Sequence, residues 1–264
     1  MNKINYNKLL KQKKIKPITC LTAYTKAMAK ILDGKVDLIL IGDSLATALY
    51  DMRNTQNVSI ETMQEHGRAV CKNVKRSMTI IDMPYNSYKN KSQALINAKK
   101  LLAYSKANFI KIESNNKNVS ILKHLVFNNL NVVGHIGVTP QRFSDFKKIK
   151  SVGKNIKEEK YLISLAKNLE RAGAKFIILE CINKNVAKKI TNILKIPTIG
   201  IGASKFCDGQ VLVINDLLNF DSTEKKPKFV KNFLNIQKLI SNAVTKYTKE
   251  VKSKKFPSKK YSYN

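Results

Sequence analysis

Short apolar runs alternate along this chain with longer stretches in which apolar residues recur at helical spacing. Eight of these runs have the length of strands, at residues 18–21, 36–42, 79–81, 109–112, 132–136, 176–179, 198–201 and 210–214. Helical patterns fall after Ser59 and at residues 25–32, 92–105, 119–127, 161–172, 186–194 and 233–251. Runs that are apolar on both faces and alternate with helices are typical of a parallel sheet. The pattern therefore predicts an α/β fold.

The number of strands and the chain length favour one closed barrel. The chain has 264 residues, close to the size of a single (β/α)8 TIM barrel. We therefore expect one catalytic barrel domain over residues 1–264, with a basic, loose C-terminal tail from about residue 252. A doubly wound open sheet is the competing architecture. That fold normally has a glycine-rich phosphate turn after its first strand, and L-T-A-Y at residues 21–24 contains no glycine.

Acidic or imidazole side chains stand at the ends of several predicted strands. The second strand runs through Gly42 into Asp43 and Ser44, and later strands end at Asp82, Glu113, His135 and Glu180. The carboxyl ends of parallel strands meet at one face of a barrel, where barrel enzymes carry their active sites. We therefore expect these residues to form one site.

Three of these carboxylates, those of Asp43, Asp82 and Glu113, belong to neighbouring predicted strands. They would repel one another unless a cation lay between them. Oxygen ligands without cysteine select a hard ion, and a site completed by water and substrate suits Mg2+ better than Ca2+. The sequence thus predicts a Mg2+ site. The alternative is that one or more of the carboxylates caps a loop or pairs with a lysine.

Lys111 and Glu180 could complete this chemistry. Lys111 precedes Glu113 by two residues, so strand alternation places both side chains inside the barrel. A buried lysine can form a Schiff base or hold an anionic substrate. A neighbouring metal that polarises a carbonyl favours the second role. Glu180 ends a strand farther along the chain and is a candidate general base.

Two polar stretches at the same ends of the strands are longer than common connections. They cover residues 45–58 and 146–154. Long loops at the site-bearing end of a fold are frequently functional, so we expect both stretches to act as lids. His66, on the helix after Ser59, has no neighbouring ligand in the sequence and is interpreted as structural.

The composition favours a folded, cytoplasmic enzyme in spite of its charge. The formal net charge is +31, and 43% of the residues are hydrophobic. Dispersed lysines supply most of the positive charge, whereas arginine, the better reader of bases and phosphates, is scarce. Specific nucleic-acid binding is therefore the less favoured alternative. The cysteines form no C-x-x-C pair, the first residues are polar, and no apolar run has membrane length. We therefore expect neither a disulfide framework nor a membrane partner.

Several sequence blocks together resemble one enzyme family. They are I-G-D-S-L from Ile41, D-M-P from Asp82, K-I-E from Lys111, G-H-I-G-V-T-P-Q from Gly134, L-E-C from Leu179, I-P-T-I-G-I-G-A from Ile196 and D-G-Q from Asp208. In order and spacing, from about Thr19 to about Tyr247, they are similar to the ketopantoate hydroxymethyltransferase family. The G-H-I-G-V-T-P-Q block joined to the others is highly specific, whereas any block alone would be weak.

The resemblance implies a (β/α)8 barrel that transfers a hydroxymethyl group from 5,10-methylenetetrahydrofolate to 3-methyl-2-oxobutanoate. The product is 2-dehydropantoate (ketopantoate), formed through a Mg2+-stabilised enolate in the first step of pantothenate biosynthesis. The resemblance further implies one Mg2+ per subunit, small-molecule partners and a homo-oligomer, often a decamer. A rival is another Mg2+ barrel enzyme of the phosphoenolpyruvate mutase and isocitrate lyase type. Such an enzyme shares the enolate chemistry but would lack the G-H-I-G-V-T-P-Q block and need no folate.

The resemblance also implies a role for each matching residue. Asp43 and Asp82 would bind Mg2+ directly, and Glu113 would bind it directly or through water. Glu180 would accept the substrate proton. The keto acid would be contacted by Asp43, Ser44, Asp82, Lys111 and His135.

This chain departs from the family pattern around the expected lid and folate pocket. Ala46 and Ser204 stand where glycines are usual, and Asn215 stands where a histidine is common. Residues 55–59 read T-Q-N-V-S in place of T-L-P-V-T. The acid, base and lysine positions are unaffected, so the departures concern the folate pocket more than the reaction.

Overall fold

Parallel strands form a closed barrel in Met1–Val213, the first of two units into which the chain divides. The computed structural model describes residues 3–143, 150–220 and 227–263. The strands are β1 (Ile18–Thr22), β2 (Leu38–Ile41), β3 (Met78–Asp82), β4 (Phe109–Glu113), β5 (Val132–Gly137), β6 (Phe176–Glu180), β7 (Thr198–Ile201) and β8 (Gly209–Leu212). Each pairs with the next, and β8 returns to β1 with Gly209 opposite Ile18. This closure confirms the predicted TIM barrel and rules out the open sheet.

Helices separate most of the strands. They are α1 (Tyr6–Gln12), α2 (Lys26–Leu32), α3 (Leu45–Tyr50), α4 (Ile60–Cys71), α5 (Lys91–Ser105), α6 (Val119–Phe127), α7 (Ile156–Arg171) and α8 (Lys184–Ile193). Side-chain N-caps explain several of the starts, because Thr25, Ser59, Asn90 and Asn155 each accept a backbone N–H of the first turn. Residues 202–208 join β7 to β8 without a helix.

The first predicted lid differs from the expected polar loop. Its beginning is α3, which starts directly after Ser44, and Leu45 and Ala46 of this helix are buried. The L-A-T-A-L sequence combines good helix formers with apolar residues that pack inward, so the prediction of loop was wrong there. Of the second predicted lid, residues 146–149 lie outside the described residues, and Val152 forms an isolated bridge with Ile182.

Apolar side chains fill the barrel interior towards the amino ends of the strands. The buried cluster consists of Leu9 of α1 and the inward-facing strand residues Ile18, Cys20, Leu38, Leu40, Ile80, Phe109, Val133, Phe176, Ile178, Ile199 and Val211. The rings of Tyr6, Phe109 and Phe176 meet edge to face, with centroids 5.4–6.2 Å apart. Burying one such ring contributes roughly 2–3 kcal/mol. Helix α1, which the polar N-terminal sequence did not predict, thus closes this end.

A buried ion pair reinforces the closed end of the barrel. The Oδ2 atom of Asp208 lies 2.6 Å from Nζ of Lys13. The same carboxylate accepts the backbone N–H groups of Lys14 and Thr198. It therefore ties the segment after α1 to the starts of β7 and β8. The apolar cluster and this ion pair therefore lie at the amino ends of the strands, opposite the ends at which barrel enzymes carry their active sites.

The second unit, Ile214–Asn264, is mainly helical. It contains α9 (Ile214–Leu218), α10 (Ile236–Lys252) and a short 3-10 helix (Lys259–Tyr261). The side chain of Asn235 accepts the N–H of Lys238, which explains why α10 begins later than the predicted residue 233. No side chain of α10 is buried. Among the described residues, no helix has both the length and the apolar character needed to cross a membrane.

Candidate active site

The inward-facing positions of the barrel change from apolar to polar near the carboxyl ends of the strands. Two residues beyond each buried apolar side chain the next inward position is polar, at Asp82 after Ile80, Lys111 after Phe109, His135 after Val133 and Glu180 after Ile178. Glu113 follows Lys111 by the same step and is 3% exposed. The period of two along each strand therefore brings the predicted site residues together above the hydrophobic cluster.

Asp43 and Asp82 are adjacent in space. The backbone N–H of Asp43 donates to Oδ2 of Asp82 over 3.0 Å, and Nζ of Lys111 lies 2.9 Å from the same oxygen. Burial raises the pKa of Asp82 to about 7, against the opposing effect of the Lys111 charge. The other oxygen of Asp82, Oδ1, is buried and has no hydrogen-bond partner among the described residues. An unpartnered buried carboxylate oxygen is costly, which fits a site for a cation.

Glu113 presents a second unpartnered oxygen. Its Oε1 accepts the backbone N–H of Gln141 over 3.1 Å, whereas Oε2 is buried and finds no partner in the part of the chain that the structure describes. Burial, followed by the charge of Asp43, raises the pKa of Glu113 well above its usual range. Within the described residues, no three His, Cys, Asp or Glu side chains are gathered so as to hold a metal ion by themselves. A cation here would therefore need ligands from water or substrate as well.

Lys111 is a buried cation among these carboxylates. Burial opposes its charge, but Asp82, Asp43 and Glu113 outweigh burial and raise the pKa of its ammonium. Its Nζ also lies 3.5 Å from Nδ1 of His135. An ammonium can only donate, so Nδ1 accepts and the ring proton lies on Nε2. Lys111 is thus a fixed positive charge at the centre of the site.

His135 connects this centre to Glu180. Burial, and then the charge of Lys111, lowers the pKa of His135, which favours the neutral ring. Its Nε2 lies 3.1 Å from Oε2 of Glu180, although the N–H is not aligned for a hydrogen bond. The side chain of Glu180 is 18% exposed, against 2% for that of Asp82. Glu180 is therefore the carboxylate with the most room to meet a substrate.

The hydroxyl of Ser44 faces the same region. Its Oγ lies 2.8 Å from the phenol oxygen of Tyr24, which is buried. A Cβ atom on Gly42 would come within 2.8 Å of this Oγ. Glycine before Asp43 therefore leaves space for the serine hydroxyl. Together the site can hold a cation, bind an anion and accept a proton.

Sequence reasoning gave no role to two buried residues of the site. Tyr24 contacts Ser44, and Gln141 contacts both Asp43 and Glu113. Gln141 ends the G-H-I-G-V-T-P-Q block, which was the available signal. His66 is held between the carbonyl of Tyr24, 2.6 Å from Nδ1, and the hydroxyl of Tyr50, 2.8 Å from Nε2, in agreement with a structural role.

Comparison with known proteins identifies sequence relatives along the whole chain. The family model described as ketopantoate hydroxymethyltransferase matches residues 3–259. The chain is 45% identical over 263 residues to a 3-methyl-2-oxobutanoate hydroxymethyltransferase of Pelagibacter ubique (strain HTCC1062), covering 100% of both chains. It is 41% identical over 266 residues to the protein of the same name from Helicobacter pylori (strain Shi470), covering 100% of this chain and 97% of the other.

Solved structures with the same fold are much more distant in sequence. Phosphonopyruvate hydrolase, solved as a complex with oxalate and Mg2+, superposes with a TM-score of 0.62 at 13% identity, over 99% of this chain and 93% of the other. A 2,3-dimethylmalate lyase of the PEP mutase/isocitrate lyase superfamily gives a TM-score of 0.60 at 10% identity, over 96% and 85% of the two chains. At these identities the similarity shows the fold alone.

Proposed function

Because the chain belongs to the ketopantoate hydroxymethyltransferase family and is a transferase, we propose that it transfers a hydroxymethyl group from 5,10-methylenetetrahydrofolate to 3-methyl-2-oxobutanoate. The product is 2-dehydropantoate, in the first step of pantothenate biosynthesis. The observation that best supports the chemistry is the pair of unpartnered buried oxygens, Asp82 Oδ1 and Glu113 Oε2, beside a buried lysine. Such oxygens need a partner, either a cation or a hydrogen-bond donor, that the described side chains do not supply.

Asp43 and Asp82 would hold Mg2+ directly, and Glu113 would join them directly or through water. The donor set is entirely carboxylate oxygen, which suits a hard cation with further water and substrate ligands. When bound, Mg2+ supplies positive charge where negative charge develops on the substrate keto group. Asp43 and Asp82 are 6% and 1% exposed, so bulk water does not screen that charge.

Lys111, Ser44 and His135 would hold the keto acid. The substrate carries a carboxylate, and Lys111 is a buried ammonium that is 6% exposed. Ser44 offers a hydroxyl next to the proposed cation ligand Asp43. The neutral ring of His135 lies between Lys111 and Glu180 and offers its Nε2–H. Donors fixed in this way bind an anion without having to reorganise.

Glu180 would accept the proton from C3 of the keto acid. Breaking the C3–H bond leaves its electron pair on the substrate, which becomes the enolate. Water adds to the methylene carbon of the folate, and the two C–N bonds to that carbon break, which releases tetrahydrofolate and leaves the carbon at the oxidation level of formaldehyde. The enolate attacks this carbon, and its oxygen takes up a proton to become the new hydroxyl group. Glu180 is separate from the Asp43–Asp82 pair and more exposed than either, as a base facing bound substrate should be.

We also propose that the enzyme acts in the cytoplasm as a homo-oligomer. Helix α10 supports an oligomer because apolar side chains at helical spacing are exposed along it, namely Leu239, Ile240, Val244 and Tyr247. Apolar residues on one face of a helix indicate a packing partner. We assign no binding partner to the lysine-rich surface.

Product formation with and without chelator tests this function. The purified chain is incubated with 3-methyl-2-oxobutanoate and 5,10-methylenetetrahydrofolate, and 2-dehydropantoate is measured by mass spectrometry. We expect product only when both substrates are present, loss of activity with EDTA, and recovery with excess Mg2+. Omission of folate is the matched control against a reaction of the phosphoenolpyruvate mutase type. Product formation without folate, or undiminished product formation in EDTA, would overturn the proposal.

A further inference from the structure

Gln141 lies at the junction of several strand ends. It belongs to a short 3-10 helix (Pro140–Arg142) that follows β5, and it is 2% exposed. Its Nε2 donates to Oδ2 of Asp43 over 2.7 Å and to the carbonyl oxygen of Met83 over 3.0 Å. One amide group therefore links the segment after β5 to the segments that follow β2 and β3.

The orientation of this amide is fixed by the chemistry of its neighbours. A carboxylate and a backbone carbonyl can only accept, so the nitrogen must face Asp43 and Met83. The oxygen, Oε1, accepts the hydroxyl of Tyr88. Burial raises the pKa of Tyr88 well above its usual value, which keeps this hydroxyl a donor. A flipped amide would set an oxygen against two acceptors, so a single orientation is available.

The backbone of Gln141 extends the same arrangement. Its N–H donates to Oε1 of Glu113 over 3.1 Å, and its carbonyl accepts Nε2 of Gln56 over 3.0 Å. Gln141 thus occupies one oxygen on each of two carboxylates. Oε2 of Glu113 has no partner within residues 3–143, 150–220 and 227–263. Gln56, from the segment between α3 and α4, thus bonds the backbone of Gln141 and not its side-chain amide.

We propose that Gln141 is a positioning residue for the cation site, oriented in turn by Tyr88. By donating to one oxygen of Asp43 and one of Glu113, it fixes the orientation of both carboxylates, so that their other oxygens are available to a cation. The inference depends on the proposed function, because it concerns the same site. Outer-shell partners of this kind change metal affinity by about 10–100-fold in known sites.

Binding of Mn2+ alone, followed by electron paramagnetic resonance without substrates, tests this role. We expect Gln141→Leu to raise the Kd for Mn2+ by about 10–100-fold. Tyr88→Phe leaves the amide in place and removes only the group that orients it, so we expect a measurable increase in the Kd that is smaller than that of Gln141→Leu. Gln64→Leu is the matched control: it removes the buried amide of a glutamine of α4 that donates to the carbonyl oxygen of Lys100 on α5, and it should bind Mn2+ like the wild type. Thermal unfolding of each variant shows that the barrel is intact.

The outcomes separate this inference from the proposed function. Wild-type Mn2+ affinity in folded Gln141→Leu, together with product formation by the wild-type enzyme, overturns the role of Gln141 and leaves the function standing. Should Gln141→Leu fail to fold, unchanged affinity in Tyr88→Phe overturns the orienting arrangement. A wild-type chain that binds no Mn2+ overturns both proposals.

Discussion

Exchange of the C3 proton of 3-methyl-2-oxobutanoate into D2O should fall by about 10²–10⁴-fold in Glu180→Gln, the range expected for loss of a general base. Glutamine keeps the size of the side chain but cannot accept the proton. Glu180 does not contact Asp43 or Asp82 among the hydrogen bonds and ion pairs of the described residues, so the cation site should remain. Nuclear magnetic resonance of the substrate in D2O, without folate, measures this step in isolation.

Two controls accompany the Glu180 experiment. Glu61→Gln removes a carboxylate that is 68% exposed and pairs with Lys100 on the helical surface, and it should leave exchange unchanged. Binding of Mn2+ to Glu180→Gln should match that of the wild type. Undiminished exchange in Glu180→Gln would remove Glu180 from the role of base.

Lys111→Met should reduce kcat/KM for the keto acid by about 10²–10³-fold, mainly through a higher KM. The change removes the ammonium that lies 2.9 Å from Asp82 and would face the substrate carboxylate. Removing one partner of a buried, hydrogen-bonded charge pair between two molecules typically costs about 2–5 kcal/mol of binding free energy, because the other charge stays buried without its partner. Steady-state kinetics with varied keto acid at saturating folate and Mg2+ measure the effect.

Lys100→Met provides the control for the loss of a lysine. Lys100 is 51% exposed and its partner is Glu61, so its removal should leave the kinetics within about 2-fold of wild type. A KM for the keto acid that is unchanged in folded Lys111→Met would show that Lys111 does not bind this substrate.

The barrel and most of its polar interior could be predicted because both follow from local patterns. Apolar runs of strand length specify the strands. Because side chains alternate along a strand, Phe109, Lys111 and Glu113 then share the inner face of β4. The helix starts after Thr25 and Ser59 could also be predicted, since the side chain of each accepts the backbone N–H three residues ahead. These features need no knowledge of distant contacts.

Features that depend on distant contacts could not be predicted. Gln141 meets Asp43 across 98 positions of the chain, and no local pattern shows that a turn after β5 reaches the end of β2. The sequence of helix α1 is mostly polar, yet its Leu9 is fully buried against the barrel interior. Short amphipathic helices such as α3 gain their stability from packing, which the sequence alone does not display.

Fold similarity and sequence similarity answer different questions for this chain. The barrel resembles solved structures such as phosphonopyruvate hydrolase, with which it shares 13% identity. One barrel fold supports many reactions, so this likeness does not select one. The match of residues 3–259 to a family model shows instead that the chain belongs to the ketopantoate hydroxymethyltransferase family and not to the rival enzyme type considered from the sequence.

We propose that Asp43 and Asp82 bind one divalent cation between them. Equilibrium binding of Mn2+ to the wild-type protein and to the Asp43→Asn and Asp82→Asn variants tests this most directly. Asparagine keeps the shape of each side chain but removes the charge. We predict one Mn2+ per wild-type chain, displaced by Mg2+, and a loss of affinity of about 100-fold or more in each variant, in line with the cost of losing a charged partner. Equal affinity for Mn2+ in the wild type and both folded variants would show that Asp43 and Asp82 do not bind the cation.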